Sequence, residues 1–154
     1  SYSVEASDFE HWDFSLIEER QEKGMTVFPT DDDSWHIHSS EHDPWLLLPH
    51  EEIEHLADGV MLQITIETRA NGVFAVYWDE GDGFSERLST HRHYNIGYQT
   101  IYIELPTRNI KQVRIDPMNQ PGQVLVHEIA VADLPEAGMT IPKFIWFLFQ
   151  HWKS

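Results

Sequence analysis

At 154 residues, with 41% hydrophobic and 23% charged side chains, the chain has the make-up of one globular domain rather than a disordered segment. Its formal charge of −16 argues against nucleic acid, since a polyanion gains no counterion release from a phosphate backbone, and disfavours anionic membrane surfaces. Cysteine is absent, which rules out disulfides, zinc–thiolate centres and thiol nucleophiles.

Ten histidines make the charge sensitive to mild acid, and full protonation would move it from −16 to −6. The start, Ser1 to Glu5, lacks the basic and apolar regions of a signal peptide. The longest apolar run, Phe144 to Phe149, falls far short of the ~20 residues a bilayer span requires. The expectation is a soluble domain without a membrane span, cytoplasmic, with export as the alternative.

Two readings of the N-terminal stretch stay open. Ser7 and Glu10 have capping-box spacing, with Phe9, Trp12, Leu16 and Ile17 at helical intervals; Trp12 to Ser15 also reads as a strand. The period changes to two from Met25 onward. Trp35 and Ile37 share one face and His36 and His38 the other. Leu62, Ile64 and Ile66 alternate with Gln63, Thr65 and Glu67. Ile101, Ile103 and Leu105 alternate with Tyr102 and Glu104, and Val113 and Ile115 with Arg114 and Asp116. Such alternation predicts half-buried strands with one solvated face. Asn71-Gly72, Gly81-Asp82-Gly83, Pro106, Pro117 and Pro121-Gly122 separate them as turns, and Asn71-Gly72 predicts a tight hairpin. Many short strands without intervening helices predict an all-β, antiparallel sandwich of jelly-roll type over 1–134. Residues 135–154 form a connector and an aromatic segment that could be helical. Its Trp146, Phe147 and Phe149 are expected to pack on the sandwich or dock a partner.

The block Tyr77 to Glu86, then Tyr98 to Pro106, Val113 to Pro117 and Pro121-Gly122, resembles the accessory β-sandwich domains of bacterial surface-polysaccharide proteins. Trp12-Asp13-Phe14 and Asp43 to Pro49 fit the same pattern more loosely. These domains commonly accompany glycosyltransferases. The resemblance covers about two-thirds of the chain and implies a galactose-binding-like jelly roll with a non-catalytic, carbohydrate-binding role. It transfers no binding site, so candidate residues must come from chemistry.

Carboxylates between glycines at Asp79 and Asp82 are the ingredients of a structural calcium site, the one cofactor expected, although a glycine turn with solvated acids accounts for them too. Asp31-Asp32-Asp33 reads as a hydrated loop. His36 with His38, and His91 with His93, could each present two imidazoles to one metal, because residues i and i+2 of a strand point the same way. A metal-dependent enzyme is therefore the alternative function. Against it, the glycine and the second motif of a cupin-type metal site are missing. Arg114 and Asp116 read as a structural ion pair. No phosphate loop, nucleophile elbow or dinucleotide fingerprint occurs.

Sugar recognition needs flat apolar faces with polar groups beside them. Tyr94, Tyr98 and Tyr102 are the candidate faces, with His91, Arg92 and His93 as polar neighbours. Tyr102 is the one whose alternation points it outward. Trp35 and Trp78 read more simply as core. The expected partner is a glycan or a neighbouring catalytic domain; a purely architectural docking role is the remaining alternative.

Overall fold

The computed structural model describes residues 8–11, 21–30, 34–48, 59–105 and 110–133. Trp12-Asp13-Phe14, Asp31-Asp32-Asp33, the connector and the segment with Trp146, Phe147 and Phe149 lie outside these residues. Among the described residues 66% are in strands and none in an α-helix. The strands are β1 Glu10–His11, β2 Gln21–Lys23, β3 Thr26–Pro29, β4 Trp35–Ser39, β5 Trp45–Leu47 and β6 Val60–Thr68. They continue as β7 Gly72–Asp79, β8 Ser89–Tyr94, β9 Gly97–Leu105, β10 Gln112–Asp116 and β11 Gly122–Asp133.

All pairings are antiparallel and form two sheets. The first runs β3-β4-β11-β6-β9, with β1 also on β11; the second runs β2-β5-β10-β7-β8. Position by position, the two orders hold sequence neighbours, so most connections cross from one sheet to the other. That is the antiparallel jelly-roll sandwich that the period-two pattern predicts.

The longer strands turn one side inward. In β4 the burial alternates strictly, with Trp35, Ile37 and Ser39 buried and His36 and His38 exposed. Ile37, Leu62, Ile64, Ile66 and Ile103 from the first sheet meet Leu46, Phe74, Val76, Val113 and Ile115 from the second, all fully shielded from solvent. Side chains of this size contribute roughly 1.5–3 kcal/mol each on full burial. This core is what holds the two sheets together.

Two local expectations change. Asn71-Gly72 does not close a hairpin, because β6 pairs with β11 and β9 while β7 pairs with β10 and β8. The inward residues of β6 and β7 face one core from opposite sheets, so the link between them must cross over. Asn71 ties that link to neighbouring loops. Its Oδ1 accepts from Ile96 N–H at 3.0 Å, and its carbonyl accepts from Gln120 Nε2 at 2.9 Å. At the N-terminus, Glu10 and His11 pair with Val131 and Ala130 as strand, which excludes the helical reading for those residues.

Gly72 is required for space, not for an unusual backbone angle. A Cβ there would fall on the hydroxyl end of Tyr94, which is buried and donates to the Pro117 carbonyl at 3.1 Å. Gly72→Ala should therefore cost about 1–3 kcal/mol by overpacking. Urea denaturation checks this: the midpoint falls while the slope stays unchanged.

Candidate functional site: the outer face of the first sheet

Register assembles this face from five strands. Phe28 of β3 pairs with His36 of β4, His36 with Leu125 of β11, Leu125 with Glu67 of β6, and Glu67 with Tyr98 of β9. Residues directly opposite one another share a face, so these five side chains form one row across the sheet. At an inter-strand spacing of about 4.8 Å the row is roughly 19 Å long. Its ends are Phe28, 54% exposed, and Tyr98, 67% exposed, two of the most exposed large hydrophobic residues described.

Between the ends lies an open groove of about 100 Å³, lined by His36, Glu67, Arg69, Gln123 and Leu125. His36 Nε2 is 2.9 Å from Gln123 Oε1. A β-bulge in β11, between Val126 and Glu128, adds another polar group. Val126 and Ile129 stay in the core, so His127 and Glu128 both turn outward. The His127 ring sits 5.1 Å from that of Tyr98, and its Nε2 lies 3.4 Å from Glu67 Oε1. The groove thus combines an exposed aromatic plate with a carboxylate, an amide, a guanidinium and imidazoles. That mixture suits a ligand with apolar faces and many hydroxyls.

Of the residues expected from sequence, Tyr98 alone belongs to this face with its ring open. Tyr102 also points away from the core, but it is only 8% exposed. Phe9 packs against its ring edge-on at 6.0 Å, and its hydroxyl accepts from Gln63 Nε2 at 2.9 Å. Tyr94 turns into the core. His91 and His93 sit on β8, in the second sheet, and pair with Ala75 and Val73. Arg92 pairs with the core residue Phe74 and so lies on the other side of β8 from the two histidines; partial burial pulls its guanidinium below its ordinary pKa. The stretch from His91 to Tyr94 is therefore an edge strand whose side chains diverge, not a loop.

The histidine pairs separate for the same reason. His36 and His38 occupy the outer face of the first sheet and His91 and His93 that of the second, so the sandwich stands between them. No group of three or more metal-ligating side chains occurs among the described residues. At the glycine turn, Asp79 Oδ1 accepts from the amides of Gly81 at 2.7 Å and Gly83 at 2.9 Å. Gly81 and Gly83 have φ of 127° and 87°, where side chains are strained. Asp79 thereby acts as the clasp of a turn.

The outer face of the second sheet is polar but internally satisfied. Arg114 grips Asp116 through two 2.9 Å hydrogen bonds and stacks 4.2 Å above the Tyr77 ring. The Tyr77 hydroxyl donates to Glu86 Oε1 at 2.8 Å, and His91 Nε2 is 3.2 Å from Glu86 Oε2. Burial pushes the Tyr77 phenol up to about 12, helped by the bond to Glu86, while that bond holds the Glu86 carboxyl below its usual range. Burial likewise raises Asp116 to about 6 against the opposing pull of Arg114. Arg114 and Asp116 form the structural pair that their sequence positions predict.

Phe28, Glu67, Arg69, Gln123 and His127 had no distinguishing signal in the sequence. The alternation of β6, which puts Glu67 outward, and that of β4, which puts His36 outward, were the pointers toward the groove.

No protein-family model matches the chain, and no curated protein sequence matches it. Solved structures do. The apo form of BiXyn10A CBM1 is similar over 81% of this chain and 97% of its own, with a TM-score of 0.59 and 11% identity. A variant of CBM29-2, a family 29 carbohydrate binding module, is similar over 88% of this chain and 95% of its own, with a TM-score of 0.57 and 12% identity. PfGH50B is similar over 84% of this chain, which spans 24% of that larger one, with a TM-score of 0.58 and 10% identity. At such identities the likeness is one of fold: this chain is an antiparallel two-sheet β-sandwich, the architecture of those modules.

Proposed function

We propose that this domain is a non-catalytic glycan-binding module, and that it serves as an accessory domain of a polysaccharide-assembly protein. The supporting observation is Tyr98, an aromatic ring left 67% exposed at the end of a polar groove on a rigid sheet. A pyranose stacks its C–H face on Tyr98, and its neighbours run along the row toward Phe28. Glu67, Gln123, His36 and His127 exchange hydrogen bonds with the hydroxyls. Strand backbones fix these groups in advance, which limits the entropy lost on binding. The likeness of fold to carbohydrate binding modules supports this reading, and the sequence resemblance supports the polysaccharide setting. The metal-dependent enzyme is not favoured, because its histidine pairs lie on opposite faces.

The test is affinity gel electrophoresis of wild type and Tyr98→Ala across a panel of soluble polysaccharides. Retardation by at least one glycan, lost in the variant, supports the proposal. Equal retardation of both proteins by every glycan that binds, or no retardation by any, sinks it.

A further inference from the structure

We infer that the groove selects an acidic glycan, one bearing carboxylate or sulfate groups, and binds it more tightly as the pH falls from 8 to 5.5. This rests on the glycan-binding reading of the same face.

The argument is one of local charge. The protein is strongly acidic overall, yet this end of the face gathers cationic groups. Arg69 lines the groove, and it makes no hydrogen bond or ion pair with any other described residue. His36 lines it as well, His38 stands two residues along on the same exposed side of β4, and His127 projects from the bulge. Among the described residues, the elements packed around them supply few opposing groups. From β3 the outward residues are Thr26 and Phe28, which carry no charge. From β6 comes Glu67, and from β9 come Tyr98 and Thr100 before Glu104. Further along β11, Glu128 lies 3.4 Å from His11 of β1.

Histidine is the side chain that changes charge between pH 5 and 8. At pH 8 the groove holds Arg69 against Glu67 and is close to neutral. Each imidazole that gains a proton adds positive charge beside Arg69, against Glu67 and, at the bulge, Glu128 among the described residues. Screening at about 0.1 M salt acts over about 10 Å, so a bound sugar senses this cluster more than the remote acids. The overall charge of −16 then works as a filter, because on average the rest of the surface repels an acidic polymer. Arg69 offers the planar donor fork that matches a carboxylate or sulfate.

The experiment measures retardation by polygalacturonate and by dextran sulfate, with fully methyl-esterified pectin and dextran as their neutral counterparts, at pH 5.5 and 8. Wild type, Arg69→Gln, a His36→Gln/His127→Gln double variant and Tyr98→Ala are compared. The expected result is at least tenfold tighter binding to an acidic polymer than to its neutral counterpart at pH 5.5. That preference should drop about tenfold in Arg69→Gln and lose most of its pH dependence in the double variant, which leaves His38 as the remaining histidine of the cluster. Which polymer binds tells carboxylate from sulfate recognition. Tyr98-dependent binding to neutral polymers alone, unchanged with pH, overturns the inference and leaves the module standing. Acidic binding that survives both Arg69→Gln and Tyr98→Ala overturns it as diffuse adsorption. No Tyr98-dependent binding of any kind overturns the underlying reading as well.

Discussion

Replacing Tyr98 with alanine should weaken glycan binding about thirtyfold while leaving thermal stability nearly unchanged. The ring is 67% exposed, so little native packing is lost with it, and substitutions at such positions usually stay within about 0.5 kcal/mol. For a ligand stacked on it, the same ring is the main apolar surface. Truncating an anchor of this kind costs about 2 kcal/mol, which converts to about thirtyfold in Kd. Isothermal calorimetry with the best glycan from the panel measures the first effect, and a melting curve the second. Tyr94→Phe is the control with the opposite profile. Losing the buried hydrogen bond to the Pro117 carbonyl should cost about 1 kcal/mol of stability and leave Kd untouched. If Tyr94→Phe weakened binding and Tyr98→Ala did not, the binding face would have been misplaced.

Arg114→Leu should be strongly destabilising for a change on the outer face of the second sheet, and its cost should depend on pH. Asp116 is only 7% exposed, and the guanidinium is its direct counter-charge. Removing one partner of a buried pair leaves an uncompensated charge and costs about 3 kcal/mol or somewhat more. The sign with pH follows from the raised carboxyl. Asp116 sits at about 6 in the folded protein against an ordinary value of 3.8, so the folded state binds its proton more readily. Its contribution to stability is therefore greatest below pH 4 and is lost as the pH rises through 6. Without Arg114, which pulls the carboxyl down, its pKa rises further. The variant's deficit should then be largest at pH 8 and shrink at pH 5, where Asp116 is neutral. Urea denaturation at the two pH values measures this, and an equal deficit at both would mean that Arg114 acts through packing on Tyr77 alone. Asp116→Asn should remove the pH dependence contributed by this carboxyl.

How much of this was legible in the chain depends on the distance over which each feature is encoded. The alternation in Trp35 to Ser39, in Leu62 to Glu67 and in Ile101 to Leu105 is local, because successive residues of a strand face opposite sides, and it specified strands, their inward faces and the sandwich class. The acidic charge and the abundance of histidine were likewise there to read. Which strands lie side by side was not. Asn71-Gly72 has the chemistry of a hairpin turn, but burying Ile66 and Phe74 in one core from two sheets overrode it. Tyr98 and Tyr102 sit on the same outward side of one strand. Phe9, from the far end of the sequence, packs on Tyr102, which is buried, while Tyr98 stays open. His127 carries no sign of its role, because its outward turn comes from a bulge in the pairing of β11 with β6. The strand pattern and the overall charge follow from residue type and short-range sterics. The tertiary structure alone decided that Phe28, His36, Glu67, Arg69, Tyr98, Gln123 and His127 share one face, because long-range antiparallel register brings residues as far apart as Phe28 and His127 to one place.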